Sequence, residues 1–145
     1  MDDSDTTLSL VMFSGTDDKL ASAAILTAGA AAMGRKVNVF LQYWALDAFR
    51  KTKIADDHGS ATEAGPSGTT LVRQSLTGQR HWSELLKQAK DIGEVKIHAC
   101  ALSMELFGIT KDDLDPLVDD VEGVAAFMSD ATTGPIGRRG RKSVV

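Results

Sequence analysis

Cysteine is almost absent: Cys100 is the only one in 145 residues. An internal disulfide is therefore impossible, and a metal site built from paired cysteines is excluded. No apolar run approaches the ~20 residues of a membrane-spanning helix. The opening MDDSDTT is acidic where a secretory signal would be basic. Together these features read as a soluble cytoplasmic protein. Basic clusters are missing outside the last residues, and 16 Lys and Arg against 20 Asp and Glu give a formal net charge of -4. Binding of nucleic acid by the folded body is disfavoured. There is no internal repeat, and SGTDDK, Ser14–Lys19, lacks the glycine spacing of either common phosphate-binding loop.

What the chain does contain is one domain's worth of alternating strand and helix patterns. Leu8–Phe13, LSLVMF, is an apolar run of the kind that is buried on both faces of a parallel sheet. Acidic residues suited to a helix start follow, then LASAAILTAGAAAM with Leu20, Ala24, Thr27 and Ala31 at helical spacing, and Gly34 as a stop. Val37–Leu41 is a second strand. Strand, helix and strand in ~35 residues make a right-handed βαβ unit. A short helix over QYWALDAFRK, an amphipathic helix in HWSELLKQAKDIG, a third strand at Val95–Ala99, a brief strand around Val121 and a helix over Val124–Ala131 complete the pattern. The fold class is α/β: a three-layer sandwich around a mostly parallel sheet of about 4–5 strands, in the flavodoxin-like manner. Residues 1–131 form the domain. Ala55–Gly68 is polar, lacks periodicity and is long enough for a lid, and 132–145 reads as a basic flexible tail.

In such sheets reactive groups gather beyond the carboxyl ends of the strands. Two ends stand out, FSGTDDK after the first strand and HACALSM after the third; in flavodoxin-like order these strands are neighbours, so Cys100 would face Ser14 and Gly15. A free cysteine is usually a small buried apolar side chain. A cysteine opening a helix, however, meets free N–H groups and a positive dipole end, which favour the thiolate. Ser103 is an available donor, and His98 lies on the same strand face two residues earlier. Asp17 and Asp18 read as helix-capping residues and Met12, Met33, Met104 and Met128 as core, so no metal site is expected. Trp44, Phe49 and Trp82 read as core, with a place for one of them lining a pocket under the lid; His58 and His81 read as solvent-facing.

Taken together, VMFSGTDDKLASAAILTAGAAAMGRKVNVFLQYWALDAFRK, SELLKQAKDIGEVKIHACALSMELFGITKDDL and VEGVAAFMSDA resemble the DsrE/DsrF-like proteins over about Leu8–Ala131. The resemblance implies a homo-oligomeric α/β sandwich that carries sulfur as a cysteine persulfide or thiosulfonate. Its partners would be small sulfur carriers of the TusA type or rhodaneses, and it would need no cofactor. The family's sulfur-bearing cysteine carries over to Cys100, with Ser103, Met104, His98, Ser14 and Gly15 shaping the pocket. The chain departs from that pattern at its end, where GPIGRRGRKSVV stands in place of a final apolar strand and only Ser143–Val145 could supply a stub. Without a second cysteine, a mechanism that needs an internal resolving thiol is excluded. A non-catalytic oligomeric module that binds a small ligand, and a thiol peroxidase resolved between molecules, are the competing classes.

Overall fold

The computed structural model describes residues 7–132 and 141–144. Five parallel strands form one sheet: Leu8–Met12 (β1), Val37–Leu41 (β2), Val95–Cys100 (β3), Asp120–Glu122 (β4) and Arg141–Val144 (β5), in the order β4-β3-β2-β1-β5. The α/β class with a parallel sheet is as the sequence predicts. The strand order is not. β2 lies between β1 and β3, because each of the first crossovers adds the next strand to the same growing edge and only β5 returns to the far side of β1.

The helices are Asp17–Ala32 (α1), Tyr43–Ala48 (α2), Gly65–Thr77 (α3), Trp82–Ile92 (α4), Ala101–Phe107 (α5) and Val124–Thr132 (α6). α1 buries Leu20, Ala23, Ala24, Thr27, Ala30 and Ala31, a stripe of small residues that lets α4 come close. At that contact a Cβ on Gly93 would sit 2.8 Å from the Cβ of Ala31. Gly34, with φ 76°, ends α1 as expected, its N–H reaching Ala31 O at 3.0 Å. Both helices cover the sheet face made by Leu10, Met12, Val37, Val39, Val95, Ile97 and Ala99. Alternation sends Val11, Phe40, His98 and Cys100 to the other face, where Phe127 of α6 packs on Phe40 and Cys100. Among the described residues no helix is long and apolar enough to cross a membrane.

Several local expectations change. The segment read as loop through Gly68 turns helical at Gly65, and residues 57–61 are fastened to the start of α1. Asp17 accepts from His58 N at 2.9 Å and from Trp82 Nε1 at 3.1 Å, while Asp18 accepts from Ala61 N at 3.1 Å. The two acids therefore hold a loop as well as opening a helix. Burial alone would raise the Asp18 pKa, but hydrogen bonds from Thr16, Ala61 and Lys19 outweigh it and hold the carboxyl below its usual value. Arg141–Val144 form an edge strand where a basic tail was expected. A short strand rich in Lys and Arg has no apolar signature, and such residues commonly mark sheet edges. The rest of that tail, 133–140 and Val145, lies outside the described residues. Met33, Met128 and Trp44 are exposed rather than core.

His81 is not a solvent-facing residue either. Its Nδ1 caps α4 by accepting from Ser83 N at 3.2 Å, and its ring packs on Trp82 with centroids 4.9 Å apart. Desolvation pushes its pKa below the ordinary histidine value; nearby Asp17 opposes the shift and His58 adds to it. A depressed histidine pKa means that the folded state binds fewer protons than the unfolded one. The stabilisation is complete above the unfolded value of ~6.5 and is lost as pH falls through the folded value. Hydrogen exchange, corrected for its intrinsic pH dependence, should show weaker protection at Ser83–Leu85 below about pH 6. In His81→Asn, a cap that does not titrate, this pH dependence should vanish.

Candidate functional site

β3 delivers Cys100 to the carboxyl end of the sheet, where it is both the last strand residue and the N-cap of α5, with φ -69° and ψ 117°. Its side chain is 1% exposed. The ring of Phe127 stacks on that of Phe40 at 4.5 Å and 13° and, with Phe40, encloses the sulfur from the open face of the sheet. Gln42, just past the end of β2, brings its Nε2 to 4.0 Å from the Cys100 sulfur, the outer limit for an N–H donor to sulfur. Tyr43 follows in a left-handed conformation, φ 46°, and donates its N–H to Ser103 Oγ at 3.1 Å.

The predicted site residues do not all converge. Ser103 is buried and engaged with Tyr43, so it braces the β2–α2 corner. Met104 belongs to the main core on the α1 and α4 side. Ser14 and Gly15 follow β1, two strands away, and a Cβ on Gly15 would lie 2.3 Å from the carbonyl oxygen of Trp44, so Gly15 is occupied with seating α2. His98 does share the face of Cys100, edge-on to Phe127 at 6.2 Å between centroids. It is 7% exposed. Its Nδ1 stands 2.6 Å from Asp120 Oδ1 and 3.3 Å from Glu122 Oε2, and its Nε2 stands 3.3 Å from Asn38 Oδ1. Among the described residues, His98, Asp120 and Glu122 are the group whose nitrogen and oxygen atoms lie close enough together to hold a metal ion.

Gln42, Asn38, Phe127, Asp120 and Glu122 were absent from the sequence reading. Asp120 and Glu122 carry a faint signal, acids two apart on a short strand. It becomes legible only once the register pairs Asp120 with His98 and Glu122 with Cys100.

The chain matches the DsrE/DsrF/DrsH-like family over residues 4–77 and 69–137. It belongs to that family. The DsrE/DsrF/DrsH-like assignment places it in a family related to sulfur relay. Among curated proteins it is similar to the "Uncharacterized protein YrkE" of Bacillus subtilis (strain 168), 28% identical over 151 aligned positions, covering 88% of this chain and 92% of that protein. Among solved structures it is similar to MTH1491 of Methanobacterium thermoautotrophicum, described as a protein of unknown function. That similarity has a TM-score of 0.51 at 17% identity, over 95% of this chain and 99% of that one, and speaks to the fold alone.

Proposed function

We propose that this DsrE/DsrF/DrsH-like protein is a sulfur carrier or sulfurtransferase that holds sulfane sulfur on Cys100. The observation that carries the reading is the position of the sole cysteine: it ends an inner strand of the sheet and opens a helix, within reach of the Gln42 amide. The Cys100 thiolate attacks the outer sulfur of a donor such as thiosulfate. One S–S bond forms, the donor's own bond breaks, and sulfite leaves with the bonding pair. An acceptor thiolate then attacks the outer sulfur of the persulfide and expels the Cys100 thiolate. No external oxidant and no second cysteine is required, which fits a single-thiol chain.

The acceptor and donor classes are small carriers of the TusA type and rhodaneses, and the carrier works as a homo-oligomer. Exposed Phe13, Trp44, Leu102 and Leu106, from the carboxyl end of the sheet and the helices beside it, supply apolar surface for such contacts. The burial of the thiol favours a second reading, a ligand-binding module in which Cys100 only packs. Intact mass separates the two. After incubation of the reduced protein with thiosulfate, tetrathionate or polysulfide, the wild type should gain a sulfur or thiosulfonate adduct that a reductant removes, and Cys100→Ser should gain none. Failure of every donor to load a thiol that a small alkylating reagent does reach would leave the binding module as the better account.

A further inference from the structure

We propose that the outer face of α1 is a self-association surface, on which a second copy of this chain packs its own α1 antiparallel about a two-fold axis. This gives the proposed homo-oligomer a face, and it stands apart from the sulfur chemistry at Cys100.

The composition of α1 is the starting point. From Leu20 to Met33, LASAAILTAGAAAM contains no charged side chain. A helix that is apolar all round belongs in an interior. One side of α1 meets that condition, with its stripe from Leu20 to Ala31 buried. The other side does not. Ser22, Ile25, Leu26, Gly29, Ala32 and Met33 recur at helical spacing and are exposed, and the three large side chains among them, Ile25, Leu26 and Met33, are 59%, 47% and 67% exposed. Ile92, beside the Gly93 that packs on Ala31, extends this apolar surface past α1. Large apolar side chains gathered in one patch mark a contact surface, whereas single scattered ones do not.

The shape of the face selects its occupant. Ile25, Leu26 and Met33 stand around a hollow of about 290 Å³ that Leu8, Gly29 and Ala30 also line. A Cβ added to Gly29 would meet nothing within 4 Å. Knobs and a hole on one patch are what an isologous contact requires, because a two-fold axis brings each residue of the patch to another residue of the same patch. With the axis crossing between Leu26 and Gly29, Leu26 of each copy enters the hollow over Gly29 of the other. Ile25 then faces Ala30, and Met33 faces Ser22. Every pairing sets a large side chain against a small one. A parallel arrangement would instead oppose Leu26 to Leu26 and leave the hollow empty.

Charge agrees with shape. Arg35 lines the same hollow just past the end of α1, and the antiparallel pairing brings it opposite Leu20, within one turn of the acidic helix start at Asp17 and Asp18. Antiparallel helices also set the positive end of each dipole beside the negative end of the other. The Ser22 hydroxyl needs no partner from the second copy, since a serine within a helix bonds the carbonyl four residues back. A contact centred on one helix of 16 residues, ~24 Å long, makes a dimer of the small, weak class.

The test is sedimentation velocity of the reduced full chain, without any sulfur donor, over roughly 1–500 µM. The wild type should pass from monomer to dimer in that range. Leu26→Lys and Met33→Lys should each raise the dissociation constant at least ~10-fold. Because both side chains are exposed, the variants should keep the circular dichroism spectrum of the wild type. Leu106→Lys, at an equally exposed leucine on α5, should associate as the wild type does. The proposal is overturned if the wild type stays monomeric throughout, if it forms only trimers, which a two-fold contact cannot build, if both α1 variants associate as the wild type does, or if Leu106→Lys is the variant that dissociates. Should a lysine variant lose its fold, Leu26→Ser, which removes the knob without adding charge, decides the matter in the same way. None of these outcomes bears on sulfur loading at Cys100, which intact mass reads separately.

Discussion

Replacing Phe127 by alanine should raise the rate at which Cys100 reacts with a small neutral thiol reagent by roughly 10- to 100-fold. The thiol is 1% exposed, so reagent reaches it only in states where its cover has opened. Phe127 is the one buried side chain among the described side chains of α6, stacked on Phe40 in the small buried cluster that also holds Cys100. Burying a phenylalanine side chain is worth ~1.5–3 kcal/mol, and every 1.4 kcal/mol removed from the closed state raises the open population about tenfold. The main core on the α1 and α4 side should keep the variant folded, because Phe127 belongs to a separate small cluster. Cys100 is the sole cysteine, so total label is label on that site. A rate equal to wild type would mean that access to the thiol does not run past α6. Under the carrier reading the same substitution should also speed sulfur loading, since donor and reagent share one entrance.

Gly15→Ala should be the most destabilising single methyl addition near the site. The new Cβ would meet the carbonyl oxygen of Trp44 at 2.3 Å and its carbon at 2.8 Å, both backbone atoms of α2, so no side chain can rotate out of the way. The helix itself has to move, against the bond from Ala45 N to Phe13 O at 3.1 Å. Overpacking of this kind costs up to ~3 kcal/mol, which for a domain of this size lowers Tm by roughly 6–12 °C. Gly29→Ala is the matched control, since nothing lies within 4 Å of its added methyl and alanine suits a helix interior better than glycine. Thermal unfolding followed by circular dichroism should show the first falling well below wild type and the second at or slightly above it. If Gly15→Ala melts with wild type, the β1–α2 corner relaxes cheaply and glycine is not required there.

The parts of this fold that the sequence exposes are those with a strong local pattern. LSLVMF and VNVFL could only be buried strands, and the small-residue stripe of α1 announces a close helix contact that Gly93 completes. Strand order has no such local mark. With β1 and β3 taken as neighbours, Ser14 and Gly15 were placed at Cys100; with β2 between them that place belongs to Gln42, a residue no periodicity singles out. Arg141–Val144 are legible only as a stub at Ser143–Val145 for the opposite reason, because an edge strand gains its stability from backbone pairing with β1 and needs no apolar run. The helix start of α3 at Gly65 defeated the reading because GPSG looks like a turn. Cys100 itself was visible as a strand-to-helix junction. Its burial was not, since the side chain that covers it comes from a helix 27 residues further along the chain, Phe127 against Cys100.

Tyr43 carries one more consequence. A bulky side chain at φ 46° pays about 1–2 kcal/mol that glycine would not. The chain tolerates this strain at the bend that turns Gln42 toward the sulfur, and it pins the bend with the Ser103 hydroxyl. Backbone energy is thus stored beside the thiol and spent on direction: under the carrier reading the amide of Gln42 is already aimed before a donor arrives, and need not be ordered when the sulfur changes its charge or its load.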